Sequence, residues 1–183
     1  MQDWLLAVHC APTLAGLKTG SLFTCQIGSR TQIEIMLAEW NQMLSPKGLY
    51  AMVLRIKGNR ALVYLYRRAR LEKDLSGQEI QHFLRKKGYV SGDMEQMLGH
   101  LAERVRESEE FPHEIGLFLG YPYGDVKGFI ENQGRNCKCA GCWKVYTDEC
   151  RAQELFEKYR CCTESYCKKV REGMSIRQMI VAA

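Results

Sequence analysis

The sequence predicts a mixed α/β (α+β) fold, a single domain with a central, mainly antiparallel sheet and helices packed around it, and three observations point to it. Two runs, Leu49 to Lys57 and Ala61 to Arg68, are rich in β-branched and aromatic residues, and Gly58-Asn59 between them suits the positive φ angles of a two-residue hairpin turn. Met94, Met97, Leu98, Leu101, Ala102 and Val105 recur at helical spacing, with Glu95, Glu103, Arg104 and Glu107 on the other face. A length of 183 residues with 46% hydrophobic content suffices for one sizeable core, and no linker or repeat divides 1–183.

Taken in chain order, Pro12 fits the first position of a short helix running to about Leu17. Ser29-Arg30-Thr31-Gln32 reads as a capping box, after which Ile33, Met36, Leu37, Trp40, Met43 and Leu44 recur at helical spacing until Ser45-Pro46 ends the pattern. In the hairpin, Val53, Leu62, Val63, Tyr64, Leu65 and Tyr66 fall on both faces, so both sides of the sheet are expected to be covered by helices. Ser76-Gly77-Gln78-Glu79 reads as a second capping box, opening a helix through Ile80, Phe83 and Leu84 that Gly88 closes.

The Met-rich stripe from Met94 to Val105 is core filler rather than a cofactor site. Ile115 to Gly120, short, apolar and bounded by Pro112 and Pro122, predicts a buried strand, and Asp125 a cap for a helix carrying Val126, Phe129 and Ile130. Trp143 to Tyr146 predicts a last strand of the sheet. Ala152, Leu155, Phe156 and Tyr159 predict one helix, Tyr166 and Val170 another, and Ser175-Ile176-Arg177-Gln178 a final capped turn.

Composition narrows the class of protein. No apolar run approaches the roughly 20 residues that cross a bilayer, and the five apolar residues from Trp4 to Val8 are fewer than the roughly 7–15 of a signal-peptide core, so a soluble cytoplasmic chain without a membrane partner is expected. Nine cysteines in such a setting stay reduced or bind metal. The stretch 51–73 is locally basic, but it brackets a hairpin turn and a strand end where solvated Lys and Arg are routine, and a nucleic-acid partner is not favoured.

Three blocks carry a family resemblance: His9 to Lys18 (HCAPTLAGLK), Pro112 to Pro122 (PHEIGLFLGYP) and Cys139 to Tyr146 (CAGCWKVY). Together they resemble the family catalogued as domain of unknown function 3793 over essentially the whole chain. The resemblance implies a one-domain architecture and brings no activity, cofactor or catalytic assignment, so chemistry rests on the residues.

Cys10 is the first candidate. Placed just before a helix beginning at Pro12, its thiolate would be favoured by the helix dipole, and His113, with Glu114 beside it, could supply a base in the Cys-then-His order of papain-like enzymes. Adjacent residues of an extended segment point to opposite faces, so Glu114 need not orient His113. The competing reading makes Cys10 an ordinary small buried residue. His9, Lys18 and Tyr121 are candidate ligand-binding groups, Lys18 within a Lys-Thr-Gly-Ser run that lacks the phosphate-binding GxxxxGK[ST] frame, and Tyr121 on the turn after Gly120.

The second candidate is the cysteine-rich part, 137–167, which holds Cys137, Cys139, Cys142, Cys150, Cys161, Cys162 and Cys167. Cys139-Ala140-Gly141-Cys142 is a CxxC able to place two thiolates on one metal, with Cys137 and Cys150 as further ligands and zinc, or an iron–sulfur cluster, as the cofactor. Reduced, partly buried thiols are the alternative. The sequence thus leaves a small-ligand-binding or thiol-dependent protein, an enzyme, and a metal-stabilised interaction or regulatory module as competing readings.

Overall fold

The computed structural model describes residues 2–107 and 111–182. The chain opens with helix α1 (Gln2–Leu14), strand β1 (Gly20–Gln26) and helix α2 (Arg30–Leu44), and a 3-10 turn at Ser45–Lys47 leads into the hairpin of β2 (Leu49–Lys57) and β3 (Arg60–Arg67). Helices α3 (Arg68–Leu75), α4 (Gln78–Lys86), α5 (Met94–Glu107), α6 (Ile115–Phe118) and α7 (Tyr123–Glu131) follow. A two-stranded hairpin, β4 (Cys139–Ala140) and β5 (Lys144–Val145), precedes the long α8 (Glu149–Arg171) and the short α9 (Ile176–Met179).

The central sheet has the order β1-β3-β2 and is antiparallel throughout, giving an α+β domain. Lys57 faces Arg60 across the hairpin, and Gly58 supplies the one positive φ of the turn, +57°. A bulge between Val53 and Arg55 turns Arg55 onto the face of α5, where its guanidinium donates to the Val105 carbonyl at 3.3 Å.

Both faces of the sheet are covered, as the alternation of apolar residues requires. On one, Phe23, Ala51, Val63 and Leu65 pack against Leu6 and Leu14 of α1, Trp40 of α2 and Ile176 of α9. On the other, Leu54, Tyr64 and Tyr66 pack against Leu71, Leu101 and Phe118 of α3, α5 and α6. The Tyr64 hydroxyl, fully buried, donates to the Phe118 carbonyl at 2.5 Å and fixes α6 to the sheet.

Several expected elements differ. Helix α1 begins at Gln2 and ends at Leu14, so Pro12 lies in its last turn and Cys10 in its interior. The stripe of Leu6, Ala7, Cys10, Ala11 and Leu14, all buried, specifies that helix. Residues 115–118 form α6 instead of a strand, because the segment is buried on every side and continuous apolarity carries no period. β5 pairs only with β4, outside the main sheet. Helix α8 runs unbroken where two helices were expected, with no Gly or Pro between 149 and 171.

Capping differs as well. The Ser29 hydroxyl accepts from the Gln32 N–H as expected, but the Gln32 side chain accepts from the Gly28 N–H. Gly77, not Ser76, caps α4, and the Ser76 hydroxyl donates to the Lys73 carbonyl at the end of α3. At α9 the expected contact is present: the Ser175 N–H donates to the Gln178 side chain at 3.2 Å.

Arg67, at the end of the central strand, is 3% exposed and donates to three carbonyls, of Thr13 at 2.6 Å, Leu14 at 2.8 Å and Val181 at 2.7 Å. It joins the end of α1 to the C-terminal tail, which also returns its Val181 N–H to the Leu14 carbonyl at 3.0 Å. Arg67→Met keeps the side-chain bulk and removes three hydrogen bonds from a charged donor, leaving the Val181 carbonyl without one among the described residues while the Leu14 and Thr13 carbonyls keep the Val181 and Gly16 N–H groups. We expect a loss of about 3 kcal/mol in urea unfolding, with amide exchange near Val181 accelerating first.

Candidate functional site

The site is built on the β4–β5 hairpin. Cys139 pairs with Val145 and Ala140 with Lys144, and the tip closes with the Gly141 N–H donating to the Trp143 carbonyl at 3.0 Å. A side chain at residue 141 would collide with the Phe156 ring of α8, so only glycine lets the tip lie against that helix. Trp143, buried at the tip, meets Phe156 edge-on at 4.6 Å and stacks on Tyr121 at 4.9 Å.

One carboxylate holds this module to the rest of the domain. Asp125 sits in the first turn of α7, whose N-cap is Pro122, so its side chain is free to face the hairpin instead of capping its own helix. It accepts the Trp143 indole N–H at 2.8 Å, the Tyr146 and Thr147 backbone N–H groups at 2.8 Å each, and the Thr147 hydroxyl at 2.7 Å. Burial by itself would raise the Asp125 pKa. The four donors outweigh it and hold the carboxyl below its usual range.

The stacked Tyr121 and Trp143 rings form a partition between two cavities. On one side is a cavity of about 400 Å³ whose walls include Leu22, Phe111, Ile115, Leu119, Val126 and Phe129. His113 and Lys144, both exposed, stand at its lip. The His113 ring meets Phe129 edge-on at 4.8 Å, and the Lys144 ammonium lies 5.8 Å from the Phe129 ring centroid while donating to the Gly134 carbonyl at 2.7 Å. On the other side, a cleft of about 440 Å³ between α3 and α8 is lined by Arg70, Asp74, Tyr123, Asp148, Arg151 and Tyr159, together with the partition itself.

The residues singled out from sequence are distributed unevenly about this site. Cys10 is fully buried among the α1 side chains on the opposite face of the sheet from Leu22 and the His113 cavity, and burial pushes its thiol far above the usual range. It is not at a helix N-terminus, and the structure does not bring it to His113. Glu114 is buried, accepts from Arg104 Nε at 2.5 Å and from the Tyr89 hydroxyl at 3.2 Å, and does not orient His113. His9 stacks on Phe23 at 5.1 Å, and burial lowers its pKa.

Lys18, Tyr121 and Cys142 do converge. The half-buried Lys18 ammonium lies 5.3 Å from the Tyr121 ring centroid, and the Tyr121 hydroxyl donates to the Cys142 carbonyl at 3.2 Å. Burial lowers the Lys18 pKa, with the nearby Cys142 and Cys10 thiols pulling the other way. Cys139 neighbours Cys137 and Glu149, and burial and the Glu149 carboxylate raise its thiol. Cys150 is exposed on the first turn of α8. Among the described residues, no three His, Cys, Asp or Glu side chains gather into a group that could hold a metal ion. No helix among them is long and apolar enough to cross a membrane.

Sequence reasoning missed Arg70, Asp74, Arg151 and the bridging role of Asp125. Tyr159 and Trp143 were visible as apolar positions of a helix and a strand; the signal available was that each carries a polar tip on an apolar body. A family described as Protein of unknown function (DUF3793) matches residues 6–180, nearly the whole chain. No curated protein and no solved structure matches it.

Two outcomes are expected. In native protein, Cys142, Cys150 and Cys161 alkylate at once, whereas Cys10 and Cys25 label only on unfolding; mass spectrometry of time-resolved labelling would show it, and early labelling of Cys10 would contradict its burial. Asp125→Ala leaves the buried indole N–H and three other donors without their acceptor and is expected to cost about 3 kcal/mol. Because the Asp125 pKa is depressed in the fold, its contribution is complete above the usual carboxylate range and is lost as pH falls through the depressed value. The hairpin around Trp143 should therefore loosen in acid, seen as faster exchange of the Tyr146 and Thr147 amides, and in the variant should already be loose at neutral pH.

Proposed function

The chain belongs to that family of unknown function, and we propose from the geometry of its cavity that the protein binds a small molecule with an apolar ring or chain as its body and an acceptor group at one end. The observation that carries this is the cavity beneath His113: about 400 Å³, walled chiefly by aliphatic and aromatic side chains, with two polar groups at its lip and Asp125, already engaged by four donors, in its wall. Ligand sites have this composition because apolar walls supply the affinity while a few placed polar groups set orientation. His113 and the Lys144 ammonium lie at the lip beside Phe129, where a carboxylate or carbonyl of the ligand would meet a donor. The walls come from β1, the segment 111–119, α7 and the β4–β5 hairpin, so a bound molecule would touch both the helix that carries Asp125 and the hairpin tip whose indole it holds.

A neutral apolar fluorophore, N-phenyl-1-naphthylamine, tests the reading. It should bind saturably with one site per chain and be displaced by medium-chain or aromatic carboxylates. Ala140 is exposed and lines the cavity, so Ala140→Trp should obstruct it without disturbing the core, weakening the fluorophore by about tenfold or more. Absence of saturable binding, or equal binding by the Ala140→Trp protein, would show that the cavity is not a ligand site.

A further inference from the structure

The cleft behind the Tyr121–Trp143 partition has a different chemistry from the cavity in front of it, and the difference lies in which polar groups are already engaged. Its carboxylates are each engaged by the fold at one oxygen or more. Asp125 accepts four hydrogen bonds, Asp148 caps α8 by accepting the Arg151 N–H at 3.0 Å, and Asp74 Oδ2 accepts from the Thr19 hydroxyl. Its donors are not. The Arg151 guanidinium makes no hydrogen bond or ion pair among the described residues, and Arg70 uses one N–H on the Gly16 carbonyl at 2.5 Å and leaves the others free.

Tyr159 is the informative group. It is only 7% exposed, it lines the cleft near Arg70 and Asp74, and its hydroxyl has no hydrogen-bond partner among the described residues. The ring is buried, whereas the hydroxyl tip opens on the cleft, since no buried side-chain polar atom among the described residues lacks a partner. No described residue accepts from that hydroxyl, and the Arg70 and Arg151 guanidinium groups line the same cleft. The remaining walls are aromatic planes: Tyr121, with the Lys18 ammonium 5.3 Å from its ring centroid, Tyr123, and the Trp143 stacked on Tyr121.

We propose that this cleft is a second binding site, for a small planar metabolite bearing an oxyanion, with Arg70, Arg151 and the Tyr159 hydroxyl holding the oxyanion and the Tyr121, Tyr123 and Trp143 rings flanking the planar body. Arginine suits the role because its planar fork donates two parallel hydrogen bonds to a phosphate or carboxylate. Asp74 and Asp148 border the same space and repel a bare anion. The fit is therefore to an oxyanion carried on a ring that also offers N–H or O–H groups, rather than to a free ion.

Calorimetric titration of the full chain with adenosine monophosphate, indole-3-acetate, adenosine and inorganic phosphate separates the possible sources of the oxyanion. At least one of the two ring-bearing anions should bind saturably, about tenfold or more tighter than adenosine or phosphate alone, and which of the two binds tells a phosphate from a carboxylate. Tyr159→Phe removes only the hydroxyl and should weaken that ligand about tenfold while leaving the melting temperature unchanged or raised; Arg151→Gln should weaken it similarly and flatten its salt dependence. The proposal is overturned if neither ring-bearing anion binds at millimolar concentration, if binding survives both substitutions, or if Tyr159→Phe lowers the melting temperature, which would assign the hydroxyl to the fold. N-phenyl-1-naphthylamine and Ala140→Trp report on the other cavity, so each reading fails independently of the other.

Discussion

Strand β3 is hydrogen-bonded along both edges and buried on both faces, and the rest of the molecule is arranged by that constraint. A three-stranded sheet is too small to shield itself, so each face needs its own layer of helices. Alternation along the strand assigns those layers: Ala61, Val63 and Leu65 face α1 and α2, whereas Tyr64 and Tyr66 face α3, α5 and α6. The residue that ends the strand extends the same role. Arg67, placed where the sheet stops, reaches the last carbonyls of α1 and the C-terminal tail, converting a strand end into the junction of three distant segments. Replacing Tyr64 or Arg67 therefore affects helices that touch neither residue in sequence.

The cysteine-rich hairpin is held differently. Its satellite core is small, built on Trp143, Val145, Ala152 and Tyr159, and by itself buries little apolar surface. A charged hydrogen-bond acceptor makes up the difference: one Asp125 carboxylate receives a side chain and two backbone groups from the loop after β5 and the indole from the tip. Such charge-assisted bonds are stronger than neutral ones, and they position Trp143 with a precision that apolar packing alone does not give. The partition between the two cavities is thus a consequence of a single carboxylate on α7. The attachment is polar and rests on a carboxylate with a depressed pKa, which makes the docking of the hairpin sensitive to acid.

The fold was legible wherever a period or a turn signal specified an element. Gly58-Asn59 became the hairpin turn, with a positive φ at Gly58 alone, and the Ile33–Leu44 and Met94–Val105 stripes became the helices they predicted. The failures share a cause. Ile115 to Phe118 is apolar at every position because it is enclosed from all directions, so it carries no period to distinguish helix from strand. In α1, Pro12 drew the helix start ten residues too late, since a proline tolerated in a last turn looks the same in sequence as one at a first turn. That one misplacement produced the expectation of an activated Cys10, which the buried face of α1 replaces with a small core residue.

The candidate site was less legible, and for a reason that propensity cannot repair. Lys18 and Tyr121 were selected as ligand groups and Cys142 as a thiolate; they do meet, but none of the sequence arguments linked them. Their meeting depends on the loop after α1, the turn before α7 and the tip of a hairpin arriving at one place. What marks the cleft is not the identity of its residues, since arginines recur along α3 and α8 and α8 carries a second tyrosine, Tyr166. It is the state of their hydrogen bonds: every carboxylate engaged by the fold, and Arg70, Arg151 and Tyr159 left with donors to spare. That property belongs to the folded arrangement and has no counterpart in any window of the chain. The same holds for the cavity beside it, whose apolar walls were each visible as core residues, while the space between them came into being only when the hairpin docked on Asp125.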